Sequence, residues 1–239
     1  MRKPTIVILH GWGLSGEKFL PLVDELKKRG YSVFFPDLPG FGSTEIPSHP
    51  LKLEDYARFL YQYLRENNIV EPVLIGHSFG GRVSLKYEKM YPKSVRALIL
   101  SGTPGFTLSN RRIHAFLLAA KLGKRIFSLP ILSRLKETAQ SLLYYFGGSQ
   151  DFYKAHGVMR ETFKNIVHEE LLSCMKRVAV PCLLIWGEND ILVPIKVAYL
   201  MKTAISGSQL VIILKADHAV SYKQPKVFSD SVENFLKTI

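Results

Sequence analysis

The chain has 239 residues, of which 47% are hydrophobic and 22% are charged. This composition is typical of a globular protein and argues against long low-complexity or disordered regions. No apolar stretch reaches the length of a membrane span, and the apolar run at residues 5–9 is too short for a signal peptide. At this length the chain forms one large domain, or one domain with an insertion.

The formal net charge of +12 raises the question of an anionic partner. Part of the excess lies in residues 111–136, where basic and apolar side chains are interleaved as in amphipathic helices with a solvated basic face. No nucleic-acid-binding motif accompanies them. We therefore expect no nucleic-acid partner, no stable membrane insertion and at most a weak attraction to anionic surfaces. Cys174 and Cys182 form neither a disulfide framework nor a metal-ligand set, so we expect a reducing cytoplasm and no metal.

Continuous apolar, β-branched runs alternate with amphipathic segments along the chain. Runs of this type predict strands that are buried on both faces of a parallel sheet. They lie at residues 5–10, 31–36, 72–77, 95–100, 180–186 and 209–214. Helical spacing predicts helices at residues 16–29, 50–67, 82–91, 194–203 and 224–236. The alternation predicts an α/β fold with a doubly wound, mostly parallel six-stranded sheet.

The alternation stops between the fourth and fifth predicted strands. Residues 107–173 contain only helical patterns and loops, with a surplus of aromatic and apolar side chains. Such an insertion between two strands is typical of a helical cap over a pocket. We therefore predict a core formed by residues 1–106 and 174–239 and a cap formed by residues 107–173.

Gly76-His77-Ser78-Phe79-Gly80 follows the third predicted strand and precedes a helix. Between a strand and a helix, the Gly-x-Ser-x-Gly pattern predicts that the serine lies in a sharp, strained turn. A Cβ at Gly76 or Gly80 would collide with the neighbouring strand or helix. The helix N-terminus behind Ser78 presents backbone N–H groups and a partial positive charge to a developing oxyanion.

A nucleophilic serine needs a base, and the base needs an orienting acid. Both are expected after strands, because ligands bind beyond the carboxyl ends of a doubly wound sheet. Asp190 follows the fifth predicted strand and His218 follows the sixth, whereas the loop after the fourth strand has no carboxylate. Glu188 is an alternative to Asp190, and Asp217 fits a loop-shaping role better than a second catalytic one.

The chain order serine, aspartate, histidine resembles that of the α/β-hydrolase family. Four further segments, at residues 10–13, 37–42, 186–190 and 217–218, resemble family signatures in family order. On these motifs the chain is identified as a small α/β-hydrolase-fold enzyme over essentially its whole length. Only residues 1–4 precede the first strand, so we expect the fold without the N-terminal hairpin that family members commonly have.

The resemblance implies a role for each matching residue. Ser78 would be the nucleophile, His218 the general base and later general acid, and Asp190 the residue that orients the imidazole. The backbone N–H groups of Trp12 and Phe79 would form the oxyanion hole. No metal and no organic cofactor is implied.

Other histidines and glycines fit structural roles better than catalytic ones. His77 is expected to point away from the pocket, and His10 to shape the oxyanion loop. A zinc motif beginning at His168 fails because residue 172 is leucine where a second histidine is required. The glycines at residues 40 and 42 lack the spacing of a dinucleotide-binding loop.

Dehalogenases and epoxide hydrolases of this fold resemble the chain but have aspartate at the position of the nucleophile. Serine at that position, residue 78, argues against both activities. The leading hypothesis is hydrolysis of carboxylic esters with small to medium acyl chains, the partner being a small-molecule acyl substrate. The same triad could cleave a carbon–carbon bond, a thioester or a lactone. A ligand-binding receptor on a hydrolase scaffold and an interfacial lipase are the remaining alternatives. The sequence leaves the natural substrate, the oligomeric state and any cap movement open.

Overall fold

The computed structural model describes residues 3–106 and 156–239. Its strands form one sheet in the order β2-β1-β3-β4-β5-β6, and every neighbouring pair is parallel. The strands are β1 (Ile6–Leu9), β2 (Val33–Phe34), β3 (Val73–His77), β4 (Ala97–Ser101), β5 (Cys182–Gly187) and β6 (Gln209–Ile213). The predicted six-stranded, doubly wound α/β sheet is confirmed.

Helices follow the strands in the predicted order. A 3₁₀ turn (Gly16–Phe19) precedes α1 (Leu20–Lys28), and then come α2 (Leu53–Glu66), α3 (Phe79–Met90), α4 (Gly157–His168), α5 (Leu172–Met175), α6 (Ile195–Ala204), α7 (Val220–Lys223) and α8 (Pro225–Leu236). Helix α3 begins at Phe79 rather than at residue 82. Because glycine has a low helix propensity, the sequence predicted that this helix starts after Gly81. The single turn α7 was not predicted.

Alternating side chains of the strands build one apolar layer on each face of the sheet. In β1, Val7 and Leu9 belong to the layer shared with α2, α3 and α6, whereas Ile6 and Ile8 belong to the layer shared with α1 and α8. All four are fully buried. The continuous apolar runs of the sequence follow from this burial on both faces.

The strand order places the switch point of the sheet between β1 and β3. From β1 the chain turns to β2 on one side and then crosses to β3 on the other. Loops at such a switch point diverge and leave a crevice at the carboxyl ends of the strands. The loop that begins at His10 and the turn at Ser78 therefore lie next to each other.

The predicted cap lies mainly outside the described residues, which exclude 107–155 and with them the basic stretch 111–136. The described remainder, residues 156–173, carries α4 and the first two residues of α5. Helix α4 is hydrogen-bonded to the core: the Leu51 N–H donates to Thr162 Oγ1 at 3.0 Å, and Asn165 Nδ2 donates to the Leu51 carbonyl at 3.2 Å. The division into core and cap remains a prediction. No helix within the described ranges is long and apolar enough to cross a membrane.

A buried arginine joins α3 to the segments before and after residues 107–155. Arg82 is 5% exposed, and its guanidinium donates to the carbonyl of Pro104 and, at 2.6 Å each, to those of Ile166 and Glu169. Burial lowers its pKa to about 10. One turn later, Lys86 Nζ pairs with the Glu169 carboxylate at 2.5 Å. The helix behind Ser78 is thus fixed to the end of α4.

Arg82→Met is expected to lower the free energy of unfolding by about 3 kcal/mol or more, since three carbonyls lose their donor and each unpaired buried group costs roughly 1–3 kcal/mol. Urea unfolding monitored by circular dichroism measures the change. Arg96→Met, at an exposed arginine, is the matched control and should stay within about 0.5 kcal/mol of the parent. Equal stabilities for the two variants would contradict the role given to Arg82.

Candidate active site

Ser78 lies in a strained turn between β3 and α3. Its φ of 51° and ψ of −111° are unfavourable for a residue with a side chain, and its N–H donates to the Ser101 carbonyl at 2.8 Å. A Cβ at Gly76 would lie 2.5 Å from Gly81 Cα, and one at Gly80 would fall on the Leu9 carbonyl. Backbone packs on backbone at both positions, as the pentapeptide predicted. The Ser78 side chain is consequently held at the carboxyl edge of the sheet.

Asp190 and His218, which are 28 residues apart, meet in a hydrogen bond. His218 Nδ1 lies 2.8 Å from Asp190 Oδ2. The other carboxylate oxygen accepts the N–H groups of Leu192 and Val193 at 3.0 and 2.8 Å. The Asp190 side chain is 1% exposed and that of His218 is 15% exposed. The carboxylate is therefore held by its own loop and directs the imidazole, with the Nδ1 proton facing Asp190.

Gly102 is a site residue that the sequence analysis missed. It follows β4 with a φ of +55°, and a Cβ there would lie 2.8 Å from His218 Cε1 and Nδ1 and 3.3 Å from Asp190 Oδ2. The pair formed by Asp190 and His218 thus packs directly on its backbone. In sequence Gly102 looks like an ordinary turn glycine, and the contact partners lie far away along the chain.

The loop after β1 is held by His10. The ring nitrogen Nε2 accepts the Leu38 N–H at 2.9 Å, so the proton resides on Nδ1, which donates to the Gly11 carbonyl at 2.8 Å. Burial lowers the pKa of His10 below 6.5 and keeps the ring neutral. Both nitrogens are occupied by backbone groups, as expected for a residue that shapes the loop carrying Trp12.

An aromatic cluster lies beside this loop. The Trp12 ring packs edge-on against Phe41, Phe79 and Phe163, with centroid distances of 4.8, 5.4 and 5.0 Å. Trp12 lies in the loop after β1 and Phe41 in the loop after β2, whereas Phe79 begins α3 and Phe163 belongs to α4. Because Phe79 begins α3, its N–H has no partner within the helix. The side chains of Trp12 and Phe79, the two predicted oxyanion donors, are in contact.

The alternative acids are used elsewhere. Asp217 pairs with Lys223 and accepts the Ala219 N–H at 2.9 Å, and the bond to Lys223 lowers the pKa of its carboxyl. Glu188 Oε2 accepts the Lys215 N–H at 2.9 Å. Both contacts shape loops, and the hydrogen bond to His218 belongs to Asp190. The assignment of Ser78 as the nucleophile facing His218 remains a prediction.

The described residues offer no cluster that suits a metal. Within ranges 3–106 and 156–239, no group of three or more histidine, cysteine, aspartate or glutamate side chains is arranged so that it could hold a metal ion. Cys174 and Cys182 are free and buried there.

Comparison with known proteins gives a consistent assignment. The model of the α/β hydrolase fold family matches residues 4–225. A pimeloyl-[acyl-carrier protein] methyl ester esterase of Pseudoalteromonas atlantica is 27% identical, over 98% of this chain and 95% of that protein. An esterase of Exiguobacterium antarcticum superimposes with a TM-score of 0.75 at 20% identity, over 98% of this chain and 92% of the other. A bromoperoxidase of Bacillus anthracis superimposes with a TM-score of 0.74 at 21% identity, also over 98% of this chain and 92% of the other. At such identities the two structures establish a common fold only.

Two buried histidines, His10 and His77, make the free energy of unfolding depend on pH. Burial holds the pKa of both His10 and His77 below 6.5, so the unfolded chain binds more protons than the folded chain below that pH. The free energy of unfolding should therefore fall as the pH drops from 7 to 5.5, by up to about 1.4 kcal/mol per pH unit for each histidine.

Chemical denaturation at several pH values tests this expectation. His77→Phe should reduce the slope of stability against pH, because one titrating group is removed. Val232→Ala, a truncation in the same apolar layer, should lower stability without changing the slope. A slope that is unchanged in His77→Phe would contradict the assignment.

Proposed function

Because the chain belongs to the α/β-hydrolase fold family, we propose that it is a serine hydrolase that cleaves carboxylic esters of small to medium acyl chains. The observation that carries the proposal is the hydrogen bond of 2.8 Å between His218 and the buried Asp190, on the sheet edge where Ser78 lies in its strained turn. The relative that is 27% identical and named a methyl ester esterase supports the same class of substrate.

The proposed reaction has two halves. Ser78 Oγ attacks the ester carbonyl while His218 Nε2 takes its proton, and Asp190 stabilises the resulting imidazolium. The tetrahedral intermediate collapses, the C–O bond to the alcohol breaks, and His218 returns the proton to the leaving alkoxide. A water then attacks the acyl-enzyme with the same base, releasing the carboxylic acid and Ser78.

The charge that develops on the carbonyl oxygen needs donors that are already in place. The N–H of Phe79 lies in the first turn of α3, where the helix dipole also favours negative charge. The N–H of Trp12 lies in the loop that His10 holds by two hydrogen bonds. Losing one such donor typically costs a factor of roughly 10²–10³ in kcat.

The apolar side chains near Ser78 favour an acyl group rather than a charged substrate. Phe79 follows the nucleophile, and Trp12 contacts both Phe79 and Phe163 of helix α4. Met159 of the same helix is so close to Gly40 that a Cβ there would lie 2.5 Å from its Sδ. We propose that this aromatic wall receives the acyl chain or the leaving alcohol.

The test is hydrolysis of p-nitrophenyl acetate and butyrate. Ser78→Ala and His218→Ala should each lower kcat/KM by about 10³-fold or more, and Asp190→Asn by a similar factor, because the imidazole loses its oriented base form. Asp217→Asn is the matched control, since this carboxylate adjoins His218 but pairs with Lys223. It should retain activity within about threefold. Equal rates for Ser78→Ala and the parent would refute the proposal.

Gly102→Ala should lower kcat/KM by about tenfold to a hundredfold, because the added methyl meets the His218 ring and the positive φ disfavours alanine. The same esters provide the measurement. Gly207→Ala is the matched control, at a positive φ with open space around its Cβ, and should leave the rate unchanged. If Gly102→Ala folds and hydrolyses the esters at the parental rate, this backbone contact has no part in positioning His218.

A further inference from the structure

His77, the last residue of β3, is a buried imidazole that the reaction outlined above does not use. Its side chain is 1% exposed. The ring lies 4.8 Å from that of His218 between centroids, tilted by 52°. The rings of Phe19 and Tyr222 lie 5.7 and 5.6 Å away on other sides. His77 is thus enclosed by aromatic rings, one of which is the proposed base.

The same ring reaches the loop that carries the proposed oxyanion donor. A Cβ added at Gly11 would lie 3.1 Å from His77 Cδ2 and 3.5 Å from Nε2. The backbone of Gly11 is therefore in close packing with the imidazole, and Trp12 follows it directly. A single side chain separates the loop that supplies Trp12 N–H from the ring of His218.

The hydrogen bond to Asp190 leaves one feature of His218 undetermined. A bond from Nδ1 to a carboxylate fixes the tautomer and the position of that nitrogen, but the tilt of the ring depends on packing. Within the described part of the chain, the backbone of Gly102 and the ring of His77 supply that packing. Nε2 can face Ser78 only if the tilt is right.

Burying a polar ring in this position costs free energy of folding. The Nδ1 of His77 is buried and has no hydrogen-bond partner within residues 3–106 and 156–239. Burial and the nearby His218 and His10 keep the pKa of His77 well below 6.5, so the ring is neutral. A charged neighbour would oppose protonation of His218 during the reaction, whereas a neutral five-membered ring fills the space without that penalty.

We propose that His77 is a positioning residue whose ring sets the tilt of the His218 imidazole and its spacing from the Gly11–Trp12 loop. The proposal rests on the proposed function, since it assigns His218 as the base. Among the residues that the structure describes, Asp190, Asp217 and His77 are the titratable groups that interact with His218, and His10 and Tyr222 are those that interact with His77.

The test compares His77→Ala, His77→Leu and His77→Phe by the kcat and KM of ester hydrolysis across pH. We expect kcat to fall by about 10- to 100-fold in the alanine and leucine variants, with KM changed less than about threefold, because the base is misdirected while binding is kept. The acidic limb of the kcat/KM profile should move to higher pH in His77→Ala, since water entering the space favours the imidazolium. His77→Phe, which restores a ring, should recover most of kcat.

A control separates positioning from lost stability. Val232→Ala truncates a buried side chain of helix α8 in the same apolar layer and should lower the melting temperature without moving the acidic limb or kcat. Parental kcat in His77→Leu together with a parental pH profile would overturn the proposal, and this variant decides the question if His77→Ala does not fold.

Failure of the proposed function is distinguishable from failure of this inference. If the parent does not hydrolyse the esters, the His218 imidazole can still be titrated by ¹⁵N NMR in the parent and the leucine variant. We expect its ring ¹⁵N signals to shift in the leucine variant. Identical ring signals in the two proteins would overturn the positioning role.

Discussion

The hydrogen bond between His218 Nδ1 and Asp190 Oδ2 is the interaction on which the site depends. Both partners lie on loops, His218 after β6 and Asp190 after β5. Asp190 is fixed by the N–H groups of Leu192 and Val193, and the Trp186 Nε1–H bond of 2.8 Å to the Val193 carbonyl fixes the same loop to its strand. A buried carboxylate with hydrogen bonds to both of its oxygens is a rigid support for an imidazole.

The sheet brings Ser78 to the same place by a different means. Its switch point lies between β1 and β3, so the Ser78 turn and the Trp12 loop share one edge. Close contact between backbones then requires glycine at Gly76 and Gly80, and the strained φ of Ser78 is maintained because the packed segments leave it no alternative. The strain at one residue is thus offset by the packing of a whole layer.

Much of this arrangement follows from the local sequence. Residues 73–77 form a buried strand because they are apolar on both faces, and the glycines around Ser78 mark the turn after it. Asp190 and His218 were identifiable because a parallel sheet collects the residues that follow its strands. Strand β2 is the weakest prediction, because only Val33–Phe34 of residues 31–36 form a strand.

What sequence reasoning missed are contacts between distant residues. Gly102 looks like any turn glycine, and nothing near it signals that His218 packs on its backbone. Arg82 was predicted only as the first residue of a helix, yet its guanidinium donates to the carbonyls of residues 104, 166 and 169. His77 was expected to face away from the pocket, and it is buried, but in contact with the His218 ring. Side-chain direction at strand ends is decided by the packing of neighbouring elements.

The most direct test of the central claim is to trap the intermediate. The protein is mixed with p-nitrophenyl butyrate, quenched in acid during turnover, and analysed by intact-mass and peptide mass spectrometry. The account predicts a butyryl group on Ser78 in the parent and none in Ser78→Ala. Turnover that leaves the Ser78 peptide unmodified, or an acyl group on another residue, would contradict it.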